Sequence, residues 1–266
     1  MNLFIALFLG LIQGLTEYLP ISSSAHLVIL PRLFNWPSNS LAFDVFLHIG
    51  TLLAILIYFR KKLLSMAKSL VLGEDISSRG ERRTVALLII STICIAPIFL
   101  VINKFGTTFH DFSPITIIML IGFGIPMVFI DSTYKRNKKG FATMTFKAAA
   151  LIGFAQSLAQ ISGVSRSGIT IMTAMVLGLK KDAAKEYSFL VSIPVIVASV
   201  IFEIIDVMKT PINESIQMII IGVFASFIGG YMAIHFLMRY LSNHSLAIFG
   251  YYRIILAIIL VLLFFI

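Results

Sequence analysis

The chain has 266 residues, of which 59% are hydrophobic and 12% charged. That is more apolar surface than a water-soluble domain of this size can hide, which excludes an ordinary globular enzyme and points to an integral membrane protein. The net charge of +9 would suggest nucleic acid in a soluble protein. Here the basic residues fall in short connections between apolar stretches, where cytoplasmic sidedness and anionic lipid account for them and no nucleic-acid partner is expected. The single cysteine, Cys94, leaves no intrachain disulfide or thiol metal cluster and reads as a buried, inert residue.

In chain order, the N-terminus is apolar from Asn2 onward. It has no basic leader and no small-residue cleavage site, so it reads as mature protein rather than a signal peptide. Residues 3–34 are too long for one crossing and carry Pro20 and three serines at their middle, which predicts a helix that enters, breaks and returns. About 20 apolar residues cross roughly 30 Å of hydrocarbon, and spans are predicted at about 41–60, 84–102 and 114–131. Residues 148–180 repeat the broken pattern, and further spans are predicted at about 187–205, 215–237 and 246–266.

Basic residues give the orientation. Seven from Arg60 to Arg83, five from Lys135 to Lys147, the group Lys180, Lys181 and Lys185, and Arg239 mark the cytoplasmic side. Arg32, Lys104 and Lys209 fall in the alternating loops, while Arg166 and Arg253 lie within apolar segments. The broken segments then dip in from opposite faces.

At an offset of 143 residues, Gly10-Leu-Ile-Gln13-Gly-Leu-Thr-Glu17-Tyr-Leu-Pro20-Ile-Ser22-Ser-Ser24 aligns with Gly153-Phe-Ala-Gln156-Ser-Leu-Ala-Gln160-Ile-Ser-Gly163-Val-Ser165-Arg-Ser167. The expected fold is therefore all-α and polytopic, with six transmembrane helices plus two re-entrant helical hairpins in an inverted repeat. It would form one integral membrane domain, 1–266, with halves at about 1–134 and 144–266. Broken helices of this plan meet near the midplane and build the site.

The first break gathers Gln13 and Glu17 on one helix face, a helix-stopping Pro20, serines 22–24 suited to capping, and His26 in the first turn beyond. The second offers two glycines, Gly163 and Gly168, around Arg166, whose fork suits phosphate oxygens. Unpaired N–H groups of the helix that follows favour an anion. An intramembrane Arg166 costs at least about 2.5–3.5 kcal/mol, so it calls for a ligand or for Glu17 as partner. Asp44 and His48, spaced i,i+4, could face the site or sit at a helix entrance, the entrance being the preferred reading. Glu186 and Arg253 read as an ion pair between spans, His110, His235 and His244 as solvated residues in or near loops, and the 23 phenylalanines as lipid-facing filler.

At both breaks the chain resembles the undecaprenyl-diphosphate phosphatase family, the bacitracin-resistance membrane phosphatases. The carrying segments are Gln13-Gly-Leu-Thr-Glu17-Tyr-Leu-Pro-Ile-Ser-Ser-Ser-Ala-His26 and Gly163-Val-Ser-Arg-Ser-Gly-Ile-Thr170. Residues 43–51 and Tyr252-Arg253-Ile are similar too. The resemblance implies hydrolysis of the C55 isoprenoid diphosphate to the monophosphate, which recycles the carrier lipid for peptidoglycan and other wall polymers. It implies catalytic roles for Glu17, Ser23, His26 and Arg166. The phosphate would be held by Gln13, Ser165, Arg166, Ser167, Gly168 and Thr170. Position 13 carries the Gln form of a Glu-or-Gln position, and Ser162 stands where the family commonly has Pro. A divalent cation, Mg²⁺ or Ca²⁺, would be met by Glu17 and the substrate's own oxygens. The expected setting is the plasma membrane, multi-pass, with the site opening toward the outer face. The partners would be a polyprenyl diphosphate and membrane lipids, and a homodimer is compatible with this.

Ser23 is the leading nucleophile, with Glu17 or His26 taking its proton; a phosphohistidine at His26 and direct attack by water stay open. A transporter that carries the lipid phosphate across on the same inverted-repeat site is the alternative, and a purely lipid-binding protein a weaker third.

Overall fold

The computed structural model describes residues 1–71, 76–97, 113–132, 140–207 and 214–265. Its described residues are overwhelmingly helical, and they form eleven α-helices. In order these are α1 (Leu3–Tyr18), α2 (Ser23–Leu33), α3 (Leu41–Tyr58), α4 (Arg60–Val71), α5 (Ile76–Ile93) and α6 (Pro114–Ser132). They continue with α7 (Phe146–Ser157), α8 (Arg166–Val176), α9 (Lys181–Val207), α10 (Ile216–Asn243) and α11 (Ala247–Phe265).

The local sequence sets most ends. Asn2, Ser40, Thr145 and Ser215 each accept a backbone N–H of the helix they precede, the usual work of an N-cap. Helix α1 stops because the residue before a proline is pushed out of helical geometry, and Leu19 before Pro20 sits extended at φ −70°, ψ 141°. Ser22, at φ 74°, and Ser165, at φ 70°, start α2 and α8 from the left-handed region.

Among the described residues, four helices are long and apolar enough to cross a membrane: α3, α9 over Lys181–Ile204, α10, and α11 over Ala247–Phe264. Two shorter apolar helices, α1 and Pro114–Ile130 of α6, accompany them. The span predicted at about 84–102 is described only as far as residue 97. Helix α5 begins at Ile76, inside the basic segment, and ends at Ile93; residues 98–112 lie outside the described residues. The basic segment itself folds, because α4 turns Met66 into the main core while Lys62 meets Glu81 at 3.1 Å.

Helix α1 packs most extensively against α10, α10 next against α3, and α11 against α6. Close approach makes the first contact tight: a Cβ on Gly14 would lie 2.4 Å from the Ser226 carbonyl and 2.6 Å from the Gly230 nitrogen. Small residues at such a seam let two apolar helices gain dispersion contact where no hydrophobic effect drives them together.

Several sequence expectations change here. Cys94 is half-buried, not buried. His235 lies within α10, exposed beside Tyr58, not in a loop, while His244 caps the end of α10. His110 falls outside the described residues. Phenylalanines divide between roles, Phe4, Phe129 and Phe224 being exposed and Phe43 and Phe189 fully enclosed.

Candidate active site

The end of α1 turns Gln13 and Glu17 inward on one face, one helical turn apart. Both are buried, and Gln13 Nε2 donates to Glu17 Oε2 at 3.0 Å. Ser23, the first residue of α2 and half-buried, donates its hydroxyl to the same oxygen at 2.6 Å. The other oxygen, Oε1, is held by Nη2 of Arg166, the first residue of α8. One carboxylate thus joins residues from both breaks. The Arg166 side chain is 17% exposed and that of Glu17 only 3%, so the pair sits where screening is weak and a missing partner costs about 3–5 kcal/mol.

The two breaks are also bonded directly. The amide of Gly163 donates to Ser22 Oγ at 3.1 Å, and Ser167 Oγ donates to the Leu19 carbonyl at 3.1 Å. Each break repeats one motif: Ser22 and Ser24 hydroxyls are 3.3 Å apart, as are those of Ser165 and Ser167. Gly163 is required for two reasons, a φ of +94° and a Cβ position 2.5 Å from the Thr116 carbonyl. Ser165 Oγ accepts the Gly168 amide at 3.3 Å, so that N–H of α8 serves as a cap contact.

Thr170 is buried one turn into α8. Its hydroxyl contacts the carbonyls of Arg166 and Ser167 at 2.8 and 3.2 Å and the hydroxyl of Ser188 on α9. It ties α8 to α9, and none of its bonds reaches the carboxylate. His26 is buried between Ser22 and Tyr252: Nδ1 lies 2.7 Å from the Ser22 carbonyl and Nε2 2.7 Å from the Tyr252 hydroxyl.

Two residues, His48 and Arg253, sit elsewhere than the preferred sequence reading put them. His48, read as part of a helix entrance, faces the site, with Nε2 3.8 Å from Glu17 Oε2 and Nδ1 2.8 Å from the Asp44 carbonyl. Asp44 itself does sit at the entrance. It bonds Asn39 and lines a cavity of about 680 Å³ with Leu27, Pro31 and Trp36.

Arg253 does not pair with Glu186, which instead lies 3.9 Å from Lys62. Among the described residues Arg253 makes no ion pair. Its fully enclosed guanidinium donates to the carbonyls of Met119, Leu120, Val164 and Gly163. Bonds from a charged donor are worth about 1.5–3 kcal/mol each, so two good ones offset an intramembrane charge of about 2.5–3.5 kcal/mol. Carbonyls freed at a break do the work assigned to a carboxylate, and the cue was an arginine inside the apolar last helix.

The arrangement gives a hydroxyl poised on a carboxylate, a guanidinium at the same carboxylate, and the N-terminus of α8 behind it. This is the equipment for moving a proton off an attacking oxygen beside a bound anion. An intramembrane, all-helical protein with such a site belongs to the class that handles lipid-borne anions. The chain belongs to the family described as bacitracin resistance protein BacA, which it matches over residues 6–259. It is 39% identical over 260 residues to the undecaprenyl-diphosphatase of Geotalea daltonii, covering 96% of this chain and 95% of that one. It is 40% identical over 261 residues to the undecaprenyl-diphosphatase of Caldicellulosiruptor bescii, covering 98% and 97%. A third relative of the same name, from Thioalkalivibrio sulfidiphilus, is 39% identical over 273 residues, covering 99% and 100%.

Proposed function

We propose that this chain is a membrane phosphatase that hydrolyses undecaprenyl diphosphate to the monophosphate and inorganic phosphate, returning the carrier lipid to wall-polymer synthesis. The observation that carries the reading is the convergence of Ser23, Gln13 and Arg166 on Glu17. The names of the relatives weigh for hydrolysis over carriage of the lipid across the bilayer.

In this reading the four long apolar helices, with α1, α2 and α5 to α8, make six crossings and two re-entrant hairpins within one domain of inverted halves. The matched backbone at Ser22 and Ser165 supports the repeat. The protein lies in the plasma membrane, with the site open toward the outer face and the prenyl tail left in lipid.

Arg166, with Ser165, Ser167 and the N–H groups at the start of α8, binds the terminal phosphate and stabilises charge on its equatorial oxygens. Ser23 Oγ attacks the phosphorus as its proton passes to Glu17, 2.6 Å away. The bond to the bridging oxygen breaks, and undecaprenyl monophosphate leaves with the proton from Glu17, which is again a carboxylate. Water then attacks the phosphoserine, giving a proton to Glu17; that proton returns to Ser23 as phosphate departs.

The residues present fit a divalent cation, Mg²⁺ or Ca²⁺. Gln13 Oε1 is buried with no hydrogen-bond partner, one turn from the Glu17 carboxylate, so both could offer hard oxygens. Among the described residues no group of three or more His, Cys, Asp or Glu side chains comes together, so diphosphate oxygens would complete the shell. When bound, the ion would neutralise charge on the diphosphate.

Phosphate release by purified protein in detergent micelles tests the reading, because transport vanishes there while hydrolysis persists. Wild type should release phosphate, and Glu17→Ala and Arg166→Ala should not. Near-normal turnover by either folded variant overturns the scheme.

A further inference from the structure

Consecutive side chains of α11 reach the two breaks separately, and neither has a part in the scheme above. Tyr252 stacks on His26, with ring centroids 5.8 Å apart and 9° between planes, and its hydroxyl lies 2.7 Å from Nε2. The other nitrogen, Nδ1, is 2.7 Å from the Ser22 carbonyl. A carbonyl oxygen only accepts, so Nδ1 carries a proton; in the neutral imidazole Nε2 is then the lone-pair nitrogen, to which Tyr252 donates. Both ring nitrogens are then taken. The imidazole has no lone pair left for phosphorus or for the Ser23 proton. What it holds is the carbonyl of the residue before Ser23, at φ 74°, where α2 begins.

Arg253 does the matching work at the second break. Its guanidinium gathers the carbonyls of Gly163 and Val164, which precede Arg166, onto those of Met119 and Leu120 in α6. Its reach depends on α11 lying close to α6: a Cβ on Gly250 would stand 2.6 Å from the Gly124 carbonyl.

We propose that Tyr252 and Arg253 are a paired support on one helix, Tyr252 acting through His26 to set Ser23 against Glu17, and Arg253 acting through the Gly163 and Val164 carbonyls to set Arg166 against the same carboxylate. His26 is then a positioning residue, not a nucleophile or base. The proposal rests on the phosphatase reading only for the reaction being supported.

The test compares wild type, Tyr252→Phe, His26→Gln, the double variant and Arg253→Lys, all purified in detergent with undecaprenyl diphosphate. Tyr252 is 42% exposed and the substitution removes one oxygen, so Tyr252→Phe is expected to fold. Its kcat should fall roughly 10–100-fold, as for a small misplacement of reacting groups, with KM within about twofold. The double variant should be no slower than His26→Gln, because the two residues share one path. Arg253→Lys keeps the charge but gives up the fork, and should lose at least about tenfold in kcat. Independently of turnover, ¹⁵N spectra of histidine-labelled wild type should show His26 as the Nδ1–H tautomer, with its Nε2 resonance moving toward that of an unbonded nitrogen in Tyr252→Phe. A wild-type kcat in Tyr252→Phe, losses that multiply in the double variant, or an Nε2–H tautomer at His26 overturns the proposal; normal kcat in folded Arg253→Lys overturns its second half. If wild type releases no phosphate, the phosphatase reading fails, and the tautomer alone decides the support.

Discussion

The hydroxyl of Ser22 accepts the amide N–H of Gly163 at 3.1 Å, so the two helix breaks are bonded across 141 residues of sequence. Removing that hydroxyl leaves a buried N–H without a partner, which costs about 1–3 kcal/mol. Ser22→Ala should therefore melt earlier in detergent. It should also turn over more slowly, because the breaks that carry Ser23 and Arg166 lose their direct link. A thermal scan beside a phosphate-release assay checks both.

The Glu17–Arg166 pair makes stability and activity separable. Glu17→Gln keeps the shape and strands a buried guanidinium, so stability should fall by about 3–5 kcal/mol and activity should vanish. Adding Arg166→Met should recover part of the melting temperature and none of the activity. Recovery of turnover in the double variant would remove the pair from the chemistry.

Helix α1 is seated by Gly14. Gly14→Val puts a branched side chain where a Cβ already meets the Ser226 carbonyl at 2.4 Å and the Gly230 nitrogen at 2.6 Å. Both contacts are backbone and cannot yield, so α1 must move off α10 and carry Glu17 with it. Detergent-solubilised protein should lose its cooperative melt, whereas Gly80→Ala, with nothing near the added Cβ, should match wild type.

Gln13 tests the cation. Chelation of divalent metal should abolish phosphate release, and restoring Mg²⁺ or Ca²⁺ should recover it. Gln13→Glu adds a second carboxylate beside Glu17 and should lower the metal concentration needed for half-maximal rate. Activity untouched by exhaustive chelation would remove the ion from the scheme.

The meeting of Glu17 and Arg166 was legible in the sequence, because each stood next to a helix breaker inside an apolar segment and such charges seek one another. Helix α3 was legible for a simpler reason, an unbroken apolar run of spanning length. Arg253 was misread because a buried cation was matched with a carboxylate, while the carbonyls of a break and of α6 satisfied it. His48 was ambiguous because i,i+4 spacing with Asp44 says which face they share, not what that face meets. The start of α5 was not legible because hydropathy marks apolar residues, and its first turns are charged yet helical through packing and the Lys62–Glu81 contact.

The bonds of Tyr252 and Arg253 bear on how the protein is made. Ribosomes deliver α1, α2 and α8 well before α11, so a growing chain holds its serine, carboxylate and guanidinium before anything braces them. Competence arrives only once α11 has threaded into the bilayer, and a chain stalled short of residue 252 would be silent toward its lipid.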